Sequence, residues 1–234
     1  VYEFRGKTGL LRRPLNVYEE LFKDLDIMIY RDSLESLVVK GKLDVKELGP
    51  VDHEVLKGLF MTITNANFDA AAFETEIKKM LTLRKMLKAK VTAADWHDAV
   101  TFEVDSKEAM LEKAASVGVL ATQNEDVRSL REMITYGLKG LAAYAHHALN
   151  IGKENNELYA FVYEALAATL NDKLTAEDLV ALTLKTGQFG VAAMALLDEA
   201  NTSKYGHPQI TEVNLGVRGN PAILTTGHDL TDLE

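Results

Sequence analysis

A chain of 234 residues with 47% hydrophobic and 26% charged residues is long enough for one large domain or two small ones and is not compositionally disordered. Four prolines, fifteen glycines and 7% aromatic residues argue against a many-turned all-β fold and for helices. The net charge of -9 repels phosphate backbones and anionic lipid, so nucleic acid is not an expected partner, and the absence of cysteine excludes disulfides, thiolate nucleophiles and Cys-ligated zinc or iron–sulfur sites within the chain. In chain order, the first predicted helix starts at Asn16, whose spacing to Glu19 suits an N-cap, with Leu21, Phe22, Leu25, Met28 and Ile29 on its apolar side. The apolar signal resumes at Leu37–Val39 and stops at Gly41, and Gly49-Pro50 is the next expected break.

Residues 54–64 predict a short helix burying Val55, Leu56, Leu59, Phe60 and Ile63. TITNANFD follows as a break, with Asn67 or Asp69 placed to cap the next helix. That helix, about 70–90, carries Phe73, Ile77, Met80, Leu81, Leu83 and Leu87 on one face with Lys and Arg between them. Residues 91–104 are irregular and hold the single tryptophan in Asp95-Trp96-His97-Asp98. The strongest helix begins after Thr122, read as a capping box with Glu125. It sets Val127, Leu130, Ile134, Leu138, Leu141, Ala145 and Ala148 on one side and Arg128, Glu132, Thr135, Lys139 and His146 on the other, with Gly152 as its stop. Three more helices are expected: 157–170 after Asn155-Asn156, 176–186 after Thr175 with Asp178 three residues on, and 188–202, the last two parted by Gly187. Beyond Tyr205-Gly206-His207-Pro208 the periodicity changes, and Pro221–Thr226 reads as a short buried strand closed by Gly227. The expected fold class is mainly α: a divergent, partly helical segment over 1–50, a helical bundle over 51–218, and the truncated start of a Rossmann-like α/β domain over 219–234. Val1 in place of Met, and a last stretch HDLTDLE that opens a helix without finishing it, suggest an excised piece.

Few residues carry a chemical signal. His146 and His147 are adjacent on a helix and so point about 100° apart, a poor chelate geometry; a solvated His146 and a packed His147 are the plain expectation. Gly6-Lys7-Thr8 resembles the tail of a phosphate loop but lacks the earlier glycine, and Trp96-His97 reads as a surface-loop pair. No run of apolar residues approaches the ~20 a membrane span needs, and no basic-then-apolar signal pattern opens the chain, so a cytoplasmic location is expected. In LLDEANTSKYGHP at 196–208, Asp198 and Glu199 precede a turn with Asn201, Lys204 and His207, which suits local ion pairs and side-chain-to-backbone bonds. In ILTTGHDLTDL at 223–233, a strand hands over at Gly227 to His228 and Asp229, placing an imidazole at the carboxyl edge of a sheet, where ligands of open α/β sheets gather.

TITNANFD at 62–69, SVGVLATQNEDVRSLREMITYGLKGLAAYAHHALNIG at 116–152, AMALLDEANTSKYGHPQITEVNLGV at 193–217 and NPAILTTGHDLTDL at 220–233 closely resemble the hybrid-cluster proteins, also called hydroxylamine reductases or prismane proteins. The resemblance spans about residues 51–234. It implies an N-terminal helical domain followed by the first strand of a Rossmann-like domain, in an oxidoreductase that reduces hydroxylamine to ammonia and water by two electrons, or reduces nitric oxide, with electrons from a donor protein. By resemblance the cofactors are an Fe–S–O hybrid cluster, held by one histidine, two glutamates and four cysteines, and a conventional iron–sulfur cluster on N-terminal cysteines. The histidine lies in the GHDL motif and matches His228, making it the cofactor-binding and metal-ligating residue expected here; the glutamates and cysteines of the pattern fall beyond residue 234, and no catalytic residue is assignable in this chain. The family's N-terminal Cys-Gly-Lys-Thr element appears as Arg5-Gly6-Lys7-Thr8, and a guanidinium does not ligate iron. Two readings therefore stand side by side: the helical part of a hydroxylamine reductase, catalytically incomplete as given, or a cluster-less helical scaffold or assembly protein that keeps the fold. Neither expects a cluster on the cysteine-free chain alone, neither expects a membrane or nucleic acid partner, and both leave a homo-oligomer open.

Overall fold

The computed structural model describes residues 45–63, 70–89, 101–116, 120 and 122–223. Among them run six helices: α1 Val45–Met61, α2 Ala70–Lys88, α3 Lys107–Ser116, α4 Glu125–Asn150, α5 Asn156–Thr169 and α6 Ala176–Tyr205. There is no strand among the described residues. The first expected helix at Asn16, the caps at Asn67 and Asp69, and most of the 221–226 strand lie outside them; residues 221–223 are irregular and exposed.

Helix α4 is central, touching α1, α5 and α6, with its longest contact against α6. The reason is legible in its periodicity. Ile134, Leu138, Leu141, Ala145 and Ala148 are buried, and Val127 and Leu130 pack partly buried against the same core, as the spacing predicts. The opposite side is not left to solvent either, since Thr135 and Lys139 are also buried. A helix enclosed by three neighbours buries more than one stripe, and Lys139 manages this by laying its ammonium 4.9 Å over the Tyr136 ring.

The ends of α4 show which local rules acted. The N-cap is Asn124 rather than Thr122: Asn124 Oδ1 accepts from the amides of Asp126 at 3.0 Å and Val127 at 3.1 Å, while Thr122 instead accepts from Arg128 and Arg131. The Asn side chain sits directly before the first helical residue, so it reaches the orphan amides that Thr122 cannot. At the other end Gly152 has φ of 85°, its amide donates to Leu149 O and the Lys153 amide to Ala148 O, the paired bonds of a glycine-closed helix terminus. Replacing Asn124 by Ala is expected to destabilise the chain by about 1 kcal/mol, read as a lowered denaturation midpoint at unchanged slope; Thr122→Ala should cost less.

Two expected breaks are absent. Helix α1 begins nine residues before the predicted start and passes through Gly49-Pro50. Pro50 forfeits one backbone bond, but Leu48 and Val51 on either side of it are buried in line with Val55, Leu56 and Leu59, and that continuous face outweighs the loss. Helix α6 likewise passes through Gly187. A mid-helix glycine costs only about 1 kcal/mol, and Leu179, Leu182, Thr186 and Ala193 keep one buried stripe on both sides of it. The start of α6 is the capping box expected from Thr175 and Asp178. By length and composition alone α6 is apolar enough to cross a membrane, although polar residues interrupt its apolar run. It carries Lys185 bonded to Glu164 of α5 at 2.6 Å, and its Phe189 ring stacks 4.1 Å from Phe161, so one side of it makes bundle contacts. Its other side exposes Val180, Leu184, Val191 and Met194.

Helix α3 was not foreseen. Ser106 caps it, accepting from the Ala109 amide at 3.2 Å, and Lys107 pairs with Glu74 of α2 at 2.9 Å. Also unforeseen is the burial of Arg84, which on α2 reads as one more solvated cation. It is 1% exposed, bonds the Phe102 carbonyl and lies 3.5 Å from Glu103, tying the 102–104 segment to α2.

Candidate functional site

The ionisable groups that the fold gathers lie along α1. Successive positions Asp52, His53, Glu54 and Lys57 point to different sides of the helix, and α1 is flanked by α2 and α4 and approached by α5, so each side meets a different partner. On the α5 side, Tyr163 donates to Asp52, and Tyr159 donates to Glu154 at 3.0 Å, while His53 Nε2 stands 3.0 Å from the same Glu154 oxygen. Burial pushes the Asp52 carboxyl up to about 6 despite the Tyr163 bond and the nearby His53, and burial also raises the Tyr159 phenol. Glu154 is held below the usual carboxylate range by its bonds to His53 and Tyr159.

On the α2 side, Glu54 is 2% exposed. It pairs with Lys79, and Lys57 reaches across from α1 to Glu76 at 2.5 Å. Lys79 also lies 3.8 Å from Glu76, so one lysine serves both carboxyl groups; burial first, then the neighbouring Glu76, pushes Glu54 up to about 7, while Glu76, beside Glu54 and bonded to Lys57, goes down. On the α4 side, His146 and His147 both flank Phe60, with ring centroids 5.5 and 5.2 Å from it. The expected division between a solvated and a packed histidine does not hold, since both are half-buried and it is His146 whose Nδ1 is buried without a hydrogen-bond partner. Phe60 closes over the face that helical spacing alone assigned to solvent. Burial, with His147, Lys57 and His53 nearby, lowers the basicity of His146. The two rings are 6.5 Å apart at 64°, in keeping with the poor chelate geometry expected.

No group of three or more His, Asp or Glu residues among the described residues is arranged to hold a metal ion, and the chain has no cysteine. The arrangement along α1 can hold and exchange protons; it cannot ligate a cluster. His228 lies outside the described residues, as do Gly6-Lys7-Thr8 and Trp96-His97. In the 196–208 motif Glu199 makes its ion pair with Lys153 at 2.7 Å, a residue of the turn after α4 and not a local partner, because the end of α6 returns beside that turn. Thr202 donates to the Asp198 carbonyl, a side-chain-to-backbone bond of the kind expected, and His207 is exposed. The polar cluster on α1 carried no motif by which it would be found: its members come from residues 52–57, 76–79 and 146–163, and only the hydrogen bonds bring them together.

A Prismane/CO dehydrogenase family model matches residues 23–234. Among similar curated proteins, a hydroxylamine reductase of Acetivibrio thermocellus is 60% identical over 230 residues, covering 98% of this chain and 42% of that protein. One of Desulfitobacterium hafniense is 52% identical over 223 residues, covering 89% of this chain and 39% of its own length, and one of Desulfovibrio desulfuricans is 56% identical over 185 residues, covering 79% and 34%. The chain thus spans about two fifths of the length of the curated relatives it matches. The likeness also reaches well before residue 51, where the motifs alone placed its start.

Proposed function

This chain belongs to the Prismane/CO dehydrogenase family, and we propose that it supplies the helical part of a hydroxylamine reductase, with His228 as one protein ligand of an Fe–S–O cluster. The observation that carries the reading is the 60% identity, over nearly the whole chain, to a protein named for that activity. The substrate on this reading is a small nitrogenous molecule, hydroxylamine or nitric oxide, and the reductant an electron-donor protein. The described residues do not fit such a cluster by themselves, for they include no cysteine and no metal-holding group. What this part contributes is a helical wall with α4 at its centre, followed in sequence by the exposed 206–223 segment that precedes His228. On the same reading Gly227 permits a tight turn at the end of a strand, the first of a Rossmann-like domain, and Asp229 orients the ring or caps the following helix. The cytoplasm is the location this reading implies.

The test is His228→Ala in a full-length protein that carries this sequence, followed by iron content, the visible spectrum and hydroxylamine turnover. Loss of cluster occupancy together with a fall in turnover of at least about tenfold is expected, since even residues that only orient a metal ligand cost that much. Unchanged iron and unchanged turnover would remove His228 from the site. A full-length protein that holds no iron with His228 intact would favour the scaffold reading instead.

A further inference from the structure

Two buried oxygens along α1 and α2 have no hydrogen-bond partner: Oε1 of Glu54 and Oε2 of Glu76. Lys79, bonded to Glu54, lies 3.8 Å from that same Glu76 oxygen, so the two carboxyl groups are brought together around one lysine. Ionised carboxylates only accept, so no bond forms between them unless one carries a proton. The outward oxygens are already engaged, Glu54 by Lys79 and Glu76 by Lys57. One proton placed between the two groups gives both orphaned atoms a partner; the Glu76–Lys57 ion pair stays, and Lys79 then donates to a neutral Glu54.

We propose that Glu54 and Glu76 share a single proton, and that this proton is a pH-operated clasp between α1 and α2. The geometry suits a clasp because every member reaches across the helix pair: Glu54 and Lys57 from α1, Glu76 and Lys79 from α2. Lys79 lies also 3.8 Å from Glu76, so the two lysines and two glutamates form one connected patch. His146 on α4 lies within electrostatic reach of Lys57, and burial lowers its basicity. When the proton leaves, the buried Glu54 becomes a second carboxylate beside the half-buried Glu76, and α2 loosens from α1.

The sign follows from linkage. Glu54 holds its proton more tightly in the folded chain than in the unfolded one, so between the ordinary glutamate range and neutrality the folded state binds more protons. Stability then falls as pH rises through this window and levels off above it. Glu54→Gln keeps a neutral donor in place of the protonated acid and removes the titration. The experiment compares the 234-residue chain and its Glu54→Gln and Glu76→Gln variants by infrared spectroscopy and by amide exchange. In an Asp52→Asn background, which removes the other buried carboxyl raised to about 6, the chain at about pH 6 should show the carbonyl band of a buried protonated carboxylic acid, which disappears by about pH 9 and is absent once Glu54→Gln is added. At about pH 8.5, α2 amides of the unmodified chain should exchange at least about tenfold faster than those of Glu54→Gln at the same pH, the two being equal near pH 5. Glu76→Gln should also abolish the shared proton, so its infrared band should be lost or shifted to lower pH even if Glu54→Gln proves unfolded. No acid band at pH 6, or an exchange difference that does not change with pH, overturns the clasp.

Discussion

Replacing Leu138 by Asp abolishes the cooperative thermal transition of the chain. Leu138 is fully buried at the middle of α4, the helix against which α1, α5 and α6 all pack. Losing the leucine removes about 2–5 kcal/mol of transfer and packing energy, and an unpaired carboxylate adds several more or must take up a proton. A domain of this size is stable by only about 5–15 kcal/mol, so the sum reaches the whole of it. Circular dichroism should show loss of helix at 25 °C and no sigmoidal melt. A melting temperature equal to that of the unmodified chain would mean that α4 is not the centre of the core.

The second large effect is expected at Gly137. A Cβ built there would stand 2.7 Å from Cγ2 of Thr186 on α6, closer than any real carbon contact. Thr186 is buried and its hydroxyl donates to the Leu182 carbonyl at 2.9 Å, so turning the methyl away gives up that bond. Gly137→Leu should therefore force α4 and α6 apart and cost about 3 kcal/mol or more, at the upper end of overpacking. Gly137→Ala sets the same clash against a helix-propensity gain of about 1 kcal/mol, and a net loss is expected. The double variant Gly137→Ala with Thr186→Ser removes the offending methyl and should recover most of the loss. Additive effects of the two substitutions in denaturant titrations would show that the helices do not touch there.

Glycine illustrates how unevenly the fold was legible. Gly152 acts as the helix stop that its position announced, because a positive φ there lets the amides beyond the helix turn back to its last carbonyls. Gly187 carries the same local signal and stops nothing, because α4 and α5 hold α6 on both sides of it. Gly137, unremarked in sequence, lies where α4 comes close against Thr186 of α6. Local preference is worth about 1 kcal/mol at each site, so a buried face of several residues overrides it.

The site divides along the same line. His228 is named by a motif, since a short contiguous string such as GHDL carries its meaning without coordinates. The Glu54–Glu76 pair has no string: the partners stand 22 positions apart on two helices, and each alone reads as one more solvated acid. By itself the sequence determined the helical class, the helix start after Thr175, the apolar stripes of α2 and α4, and the family, because periodicity, capping and contiguous motifs are properties of neighbouring residues. Only the tertiary structure decided that α1 and α6 run unbroken through Pro50 and Gly187, that Arg84 and Lys139 are buried, and that Lys79 stands between Glu54 and Glu76. Each of those outcomes depends on what packs against the residue, and burial energy summed over a helix face exceeds the local preference that the sequence displays.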